Sequence, residues 1–271
     1  SQIVEVNGVE QQVSESVSPK DPTYITVTTI NNRENSNKYH KSPNTTTERD
    51  SDTNAPLKET SLVLDYHNMN PGQEVGVTRI FDTEKKDFSS YKSLKMEIHY
   101  AIEDQEISNR LSEAPVRFAM QFGEGSLEGS TDYYEWSFRP AMYSCKSSER
   151  ESDCHEQNWL ENAFAMDLSE FSNLKKNRRP PYMIAVEKKI APKSGERDRE
   201  EKIRLVGNPS ITSIDWIRFV VIADSGASPE DLKGTFWIDD LRLSEMDTDW
   251  GYAARIGGQV NFTDFIALSG T

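Results

Sequence analysis

Strict two-residue alternation is the feature that most limits what this chain can become. In Ser93-Leu94-Lys95-Met96-Glu97-Ile98-His99-Tyr100, the residues Leu94, Met96, Ile98 and Tyr100 share one face, and Ser61-Leu62-Val63-Leu64-Asp65-Tyr66 repeats the pattern. Only a strand separates side chains this way, since successive Cβ atoms point to opposite sides of a sheet. Similar segments follow at residues 75–81, 116–122, 132–138, 203–209, 214–223 and 235–243. Between them lie turn signals such as Asn70-Pro71-Gly72-Gln73, where Pro presets φ and Gly accepts a positive one. One short helix fits residues 168–176, which carry apolar residues at helical spacing and end on Lys175 and Lys176. About ten short strands with so little helix predict an all-β fold, an antiparallel β-sandwich of two sheets over residues 60–246. Trp216, Phe219 and Trp237 are the expected core, and His99 is expected to face solvent.

The last strand is the most informative. In Phe236-Trp237-Ile238-Asp239-Asp240-Leu241-Arg242-Leu243, regular alternation places Asp239 beside Trp237, Leu241 and Leu243, and Asp240 on the other face. A carboxylate in such company must be hydrogen-bonded, paired or metal-bound, because burying it bare costs several kcal/mol. A closing strand of this kind resembles that of jelly-roll carbohydrate-binding modules with a galactose-binding-like fold, where an acidic residue here often holds structural calcium. Asp239, with Asp240 beside it, is the candidate calcium ligand; hydrogen bonding is the other reading. Exposed aromatics such as Tyr133 and Trp159 are candidates for contact with a sugar or a protein partner.

Composition narrows the functions. There are 45 acidic residues against 31 basic ones, a net charge of −14, so nucleic acid is not an expected partner. Motifs for zinc proteases, serine hydrolases, phosphate loops and dinucleotide binding do not occur, and an enzyme is not expected. Two cysteines, Cys145 and Cys154, bracket a short polar stretch; a bridge between them is expected, and with it an oxidising compartment. Residues 1–59 read as a polar arm, partly disordered or extended, with short strands possible around residues 3–6 and 24–28. Residues 247–271 differ: from Trp250 to Phe262 apolar and polar residues alternate behind an aromatic pair, the pattern of a barrel strand at a membrane. The chain begins at Ser without a leader, which reads as a cytosolic protein or a piece of a longer one.

Taken in order, Asn32-Arg33-Glu34-Asn35, Glu59-Thr60-Ser61-Leu62, Tyr91-Lys92-Ser93-Leu94-Lys95-Met96-Glu97-Ile98-His99, Gly207-Asn208-Pro209-Ser210, Phe236-Trp237-Ile238-Asp239-Asp240-Leu241-Arg242-Leu243-Ser244 and Trp250-Gly251-Tyr252-Ala253-Ala254 carry a family resemblance. The chain resembles an internal segment of the SprA/Sov family, the giant outer-membrane translocons of the type IX secretion system, also needed for gliding motility. The family usually has Asn-Glu in place of Asp239-Asp240 and Gly-Gly-Trp-Ala-Ala in place of residues 250–254. The resemblance implies a non-enzymatic jelly-roll segment at the mouth of a very large barrel in the cell outer membrane, with a transmembrane strand after it. Implied partners are other segments of the same barrel chain, secretion-system subunits and cargo proteins. A carbohydrate-binding module of a secreted or surface protein is the alternative.

Overall fold

The computed structural model describes residues 2–6, 9–13, 24–45, 49–55, 57–81, 84–102, 104–125, 132–146, 148–176, 185–192 and 197–246. The barrel-like stretch at residues 247–271 lies outside the described residues. In chain order the elements are β1 (Gln2–Val6), β2 (Val9–Val13), β3 (Tyr24–Asn31), β4 (Thr60–His67), β5 (Glu74–Ile80), β6 (Tyr91–Ala101), α1 (Gln105–Arg110), β7 (Val116–Gly123), β8 (Tyr133–Phe138), α2 (Glu151–Asn162), β9 (Phe164–Asp167), α3 (Ser169–Lys176), β10 (Val186–Lys189), β11 (Lys202–Val206), β12 (Trp216–Ala223) and β13 (Gly234–Met246). They form an antiparallel β-sandwich. One sheet runs β10-β11-β8-β7-β12-β5, with β1 and β2 added at the β5 edge; the other runs β3-β4-β13-β6-β9.

The predicted alternation builds the interior. Leu62, Leu64 and Tyr66 of β4 and Leu94, Met96, Ile98 and Tyr100 of β6 pack against Val116, Phe118, Met120 and Phe122 of β7, all essentially without solvent contact. Burying a side chain of this size stabilises by about 1.5–3 kcal/mol, so this layer is what holds the sheets together. Tyr66 and Tyr100 place hydroxyls in the same interior and satisfy one another, oxygen to oxygen at 2.7 Å. Gly234 opens β13 because a Cβ there would lie 2.9 Å from the Tyr66 hydroxyl and 3.0 Å from the Ala101 carbonyl oxygen. The turn at residues 70–73 closes with the Gln73 N–H donating to the Asn70 carbonyl at 3.0 Å, and Gly72 has φ +76°.

Four expectations need correction. The sheet begins before residue 60: β3 pairs with the whole of β4, Tyr24 opposite His67 through Asn31 opposite Thr60. Trp237 is only half-buried and faces away from the core, where Phe236 takes its place; Trp216 and Phe219 are both buried, on opposite faces of β12 as their parity requires. His99 is 2% exposed rather than facing solvent. Finally, where the only helix expected was the one at 168–176, residues 151–162 form the helix α2. Its inner face is Cys154, His155, Asn158, Trp159 and Asn162, a regular helical stripe made largely of polar side chains, which an apolar pattern does not register. Helix α3 is where it was expected.

The parity of β13 also changes midway. Asp239 pairs with Glu97 and Arg242 with Lys95, so three steps on β13 match two on β6. Asp240, at φ 49°, takes up the extra residue as a bulge. Phe236 and Ile238 point inward before it, Leu241 after it, and Trp237 and Asp239 point out of the sandwich.

Candidate functional site

The outer face of the five-stranded sheet is covered by two things: helix α2 and the connection between β3 and β4, here called the arm. The arm turns at Asn31, whose side-chain oxygen accepts from the N–H groups of Arg33 and Glu34 at 3.1 and 2.8 Å. Its ends meet where the Asn32 N–H donates to the Glu59 carbonyl and the Glu59 N–H to the Asn32 side chain, both at 3.2 Å. Between them the arm sends Tyr39 to Asp239 of β13, and Ser42 and Asn44 to Glu97 of β6.

Two cross-strand carboxylates wait beneath it. Asp239 Oδ1 accepts from the Asp240 N–H at 2.8 Å, and Oδ2 from the hydroxyls of Ser61 at 3.2 Å and Tyr39 at 3.4 Å. Glu97 Oε2 accepts from Ser42 Oγ at 3.0 Å and Asn44 Nδ2 at 3.1 Å. Three of these five donors, Tyr39, Ser42 and Asn44, belong to the arm. Burial pushes the Asp239 carboxyl up to about 7, against the pull of its hydrogen bonds, and raises Glu97 as well. Asp240 turns away and pairs with Arg242, carboxylate oxygen to Nη1 at 2.5 Å. The two candidate calcium ligands therefore diverge, and Asp239 is surrounded by hydrogen-bond donors.

Beside the carboxylates lies a stack of rings. Tyr143, His155, His40 and Trp237 follow one another with centroids 4.4, 3.4 and 6.1 Å apart and nearly parallel planes. His99 enters from β6, its Nε2 2.9 Å from His155 Nδ1. Three of the chain's four histidines thus meet on one face. Burial lowers the pKa of all three, that of His155 to about 4, so the rings are neutral at physiological pH. Helix α2 is fixed over β6 by Asn158, whose Oδ1 accepts from the Tyr100 N–H at 2.9 Å and whose Nδ2 donates to the Ala141 carbonyl at 3.0 Å. Cys145 and Cys154 are joined in a disulfide, Cα to Cα 5.4 Å, that ties the first turns of α2 to the preceding segment.

Trp159 requires correction as a sugar contact. It is fully buried under the arm, its indole N–H donating to the His40 carbonyl at 3.0 Å, so no sugar ring can reach its face. Tyr133 is half-buried on the outer face of the other sheet, its ring 6.3 Å from that of Trp216. The two aromatics thus lie over different sheets, Trp159 on α2 and Tyr133 on β8, and form no joint platform. A groove of 670 Å³ runs past Glu97 and the β9 edge, lined by Phe164, Ile190, Asp198, Arg199 and Arg242 among others, with both charge signs represented.

Sequence reasoning singled out Asp239 but missed Glu97, His40, Glu151 and His155. One signal was present: Glu151 and His155 stand four residues apart, neighbours on a helix surface once 151–162 is known to be helical. No helix among the described residues is long and apolar enough to cross a membrane, which says nothing about crossing by strands. A model of the motility related/secretion protein family SprA_N matches residues 4–269. No curated protein matches the chain.

Proposed function

The chain belongs to the SprA_N family of motility related and secretion proteins, and from that premise we propose that it is a non-enzymatic segment of an outer-membrane protein-secretion translocon. The system would be the type IX secretion system that also supports gliding motility, and the sandwich would cap the pore or dock cargo and partner subunits. The observation that carries this reading is the match itself, which runs across nearly the whole chain in a single span. The geometry is compatible with a structural role. The buried carboxylates of the outer face are engaged by the arm and its surroundings, so they hold the arm down. The mixed-charge groove at the β9 edge offers a concave surface for a protein partner. A disulfide in α2 accords with a place outside the cytoplasm.

Deletion of residues 24–246 from the parent gene, with fractionation of the tagged parent protein, tests the proposal. The intact protein should sediment with outer membranes, and the deletion should abolish cargo secretion while the truncated protein still reaches the membrane. Normal secretion by the deletion strain, or recovery of the intact protein from the cytoplasm, would overturn it. A glycan array with the isolated chain separates the alternative: specific sugar binding would make this a carbohydrate-recognition module instead.

A further inference from the structure

The ring stack brings together three donor groups that the role above does not use. His155 and Glu151 lie one helical turn apart on α2, with His155 Nε2 3.8 Å from Glu151 Oε1. That is too long for a hydrogen bond. His40, from the arm, stacks on His155 with a centroid separation of 3.4 Å. One ligand atom from each of the three lies within 4.8 Å of those of the other two. Two ligands of a tetrahedral zinc ion, each bonded at about 2.0–2.1 Å, stand roughly 3.3 Å apart. The three groups are therefore spaced a little wider than a shared ion requires.

Independent of this spacing is the behaviour of His99. It is buried beneath the site, and its Nε2 lies 2.9 Å from His155 Nδ1. If His155 Nδ1–H donates to His99, the His155 Nε2 lone pair faces Glu151. Histidines that bind metal commonly donate their other ring N–H in this way, which fixes the tautomer and the ring plane. Tyr143, stacked on the far side of His155 at 4.4 Å, holds the same plane.

We propose that His40, Glu151 and His155 form a binding site for a divalent transition metal, with zinc the best-suited ion, and that the bound ion pins the arm to helix α2. Two imidazoles and a carboxylate are a zinc donor set, and calcium, which prefers an all-oxygen cage, is excluded by the same chemistry. Three protein ligands leave a fourth position for water. Because the imidazoles are stacked, the ion sits at the edge of the stack and the His40 ring tilts to meet it. The arm supplies one ligand and the helix two, so metal occupancy couples the arm, which also grips Asp239 and Glu97, to the disulfide-anchored helix.

The test uses the full 271-residue chain, treated with chelator, desalted, and titrated with zinc chloride by calorimetry, with thermal melts in parallel. Saturable binding of one equivalent and a rise in Tm that EDTA reverses are expected. Glu151→Gln changes an exposed side chain and should leave the fold intact while weakening zinc binding at least about tenfold. His40→Ala should do the same from the arm. Cobalt loading should give a visible spectrum of four-coordinate ligand field that both variants lose. Absence of saturable binding overturns the proposal, and so does undiminished affinity in both variants, which would place the ion elsewhere on this acidic chain.

Discussion

Asp239 of β13 and Glu97 of β6 stand directly opposite one another across the outer face of the sheet, and the arm reaches both. Two carboxylates so placed repel if both are charged, and like charges directly opposite on a sheet are destabilising. The fold accommodates them by burial, which favours the protonated forms, and by hydroxyl and amide donors. Arm, β13 and β6 are thereby coupled through a pair of acids.

The first prediction concerns pH. The Asp239 carboxyl is raised from 3.8 to about 7 in the folded protein, chiefly by burial. Between these values the native state holds a proton that the unfolded chain has lost, so its contribution to stability is full at low pH and falls as pH rises through about 7. Asp239→Asn keeps the shape and lets the amide donate to Ser61 and Tyr39, while removing the charge. Urea unfolding at pH 5 and pH 8 should show the variant gaining on the parent at the higher pH, by about 1–3 kcal/mol. Equal differences at the two pH values would contradict the raised pKa.

Metal dependence at this position is the second. Asp239 is met by three donors, and Asp240 is turned toward Arg242. Melts in calcium and in a calcium-selective chelator should therefore coincide. A calcium-dependent rise of several degrees that Asp239→Asn abolishes would restore the calcium site.

Ser42 tests the arm. Its hydroxyl is one of two arm donors to Glu97, and the residue is fully buried. Ser42→Ala should cost about 1–3 kcal/mol, because a buried carboxylate is left short of a partner. Glu97→Gln in the same background should recover part of the loss, since a neutral amide tolerates the missing donor better. Chemical denaturation of the single and double variants measures both.

Gly234→Ala is the fourth. The added methyl would meet the Tyr66 hydroxyl at 2.9 Å and the Ala101 carbonyl oxygen at 3.0 Å. The carbonyl belongs to the paired β6 strand and has little freedom to retreat, while movement of Tyr66 breaks its bond to Tyr100. A loss of about 1–3 kcal/mol is expected from overpacking, read as a lower Tm. An unchanged Tm would show that the sheet can shift there at no cost.

Fifth, the disulfide closes a short loop, with nine residues of separation. In the chain-entropy account, replacing both cysteines by serine should cost about 2.5–3 kcal/mol. Cys154 is buried on the inner face of α2, so the effect should fall on that helix, and amide exchange in residues 151–162 should rise more than in β7 or β12.

What the amino-acid pattern determined by itself was the sandwich. Alternation such as Leu94, Met96, Ile98 and Tyr100 is a local property, two residues per repeat, and it specifies strand and inward face without reference to the rest of the chain. The need of Asp239 for partners was equally legible, because the cost of burying a charge depends on residue type. Only the tertiary structure decided which face of β13 Asp239 occupies. The bulge at Asp240 shifts parity by one residue, sending Leu241 inward and leaving Asp239 under the arm, and no alternation rule counts an extra residue in advance. The histidine cluster was hidden for a related reason. His40, His99 and His155 come from the arm, a strand and a helix, and that helix turns a polar stripe to the sheet rather than an apolar one. Their meeting is set by the packing of three separate elements on one sheet face, a long-range relation that spacing along the chain does not encode.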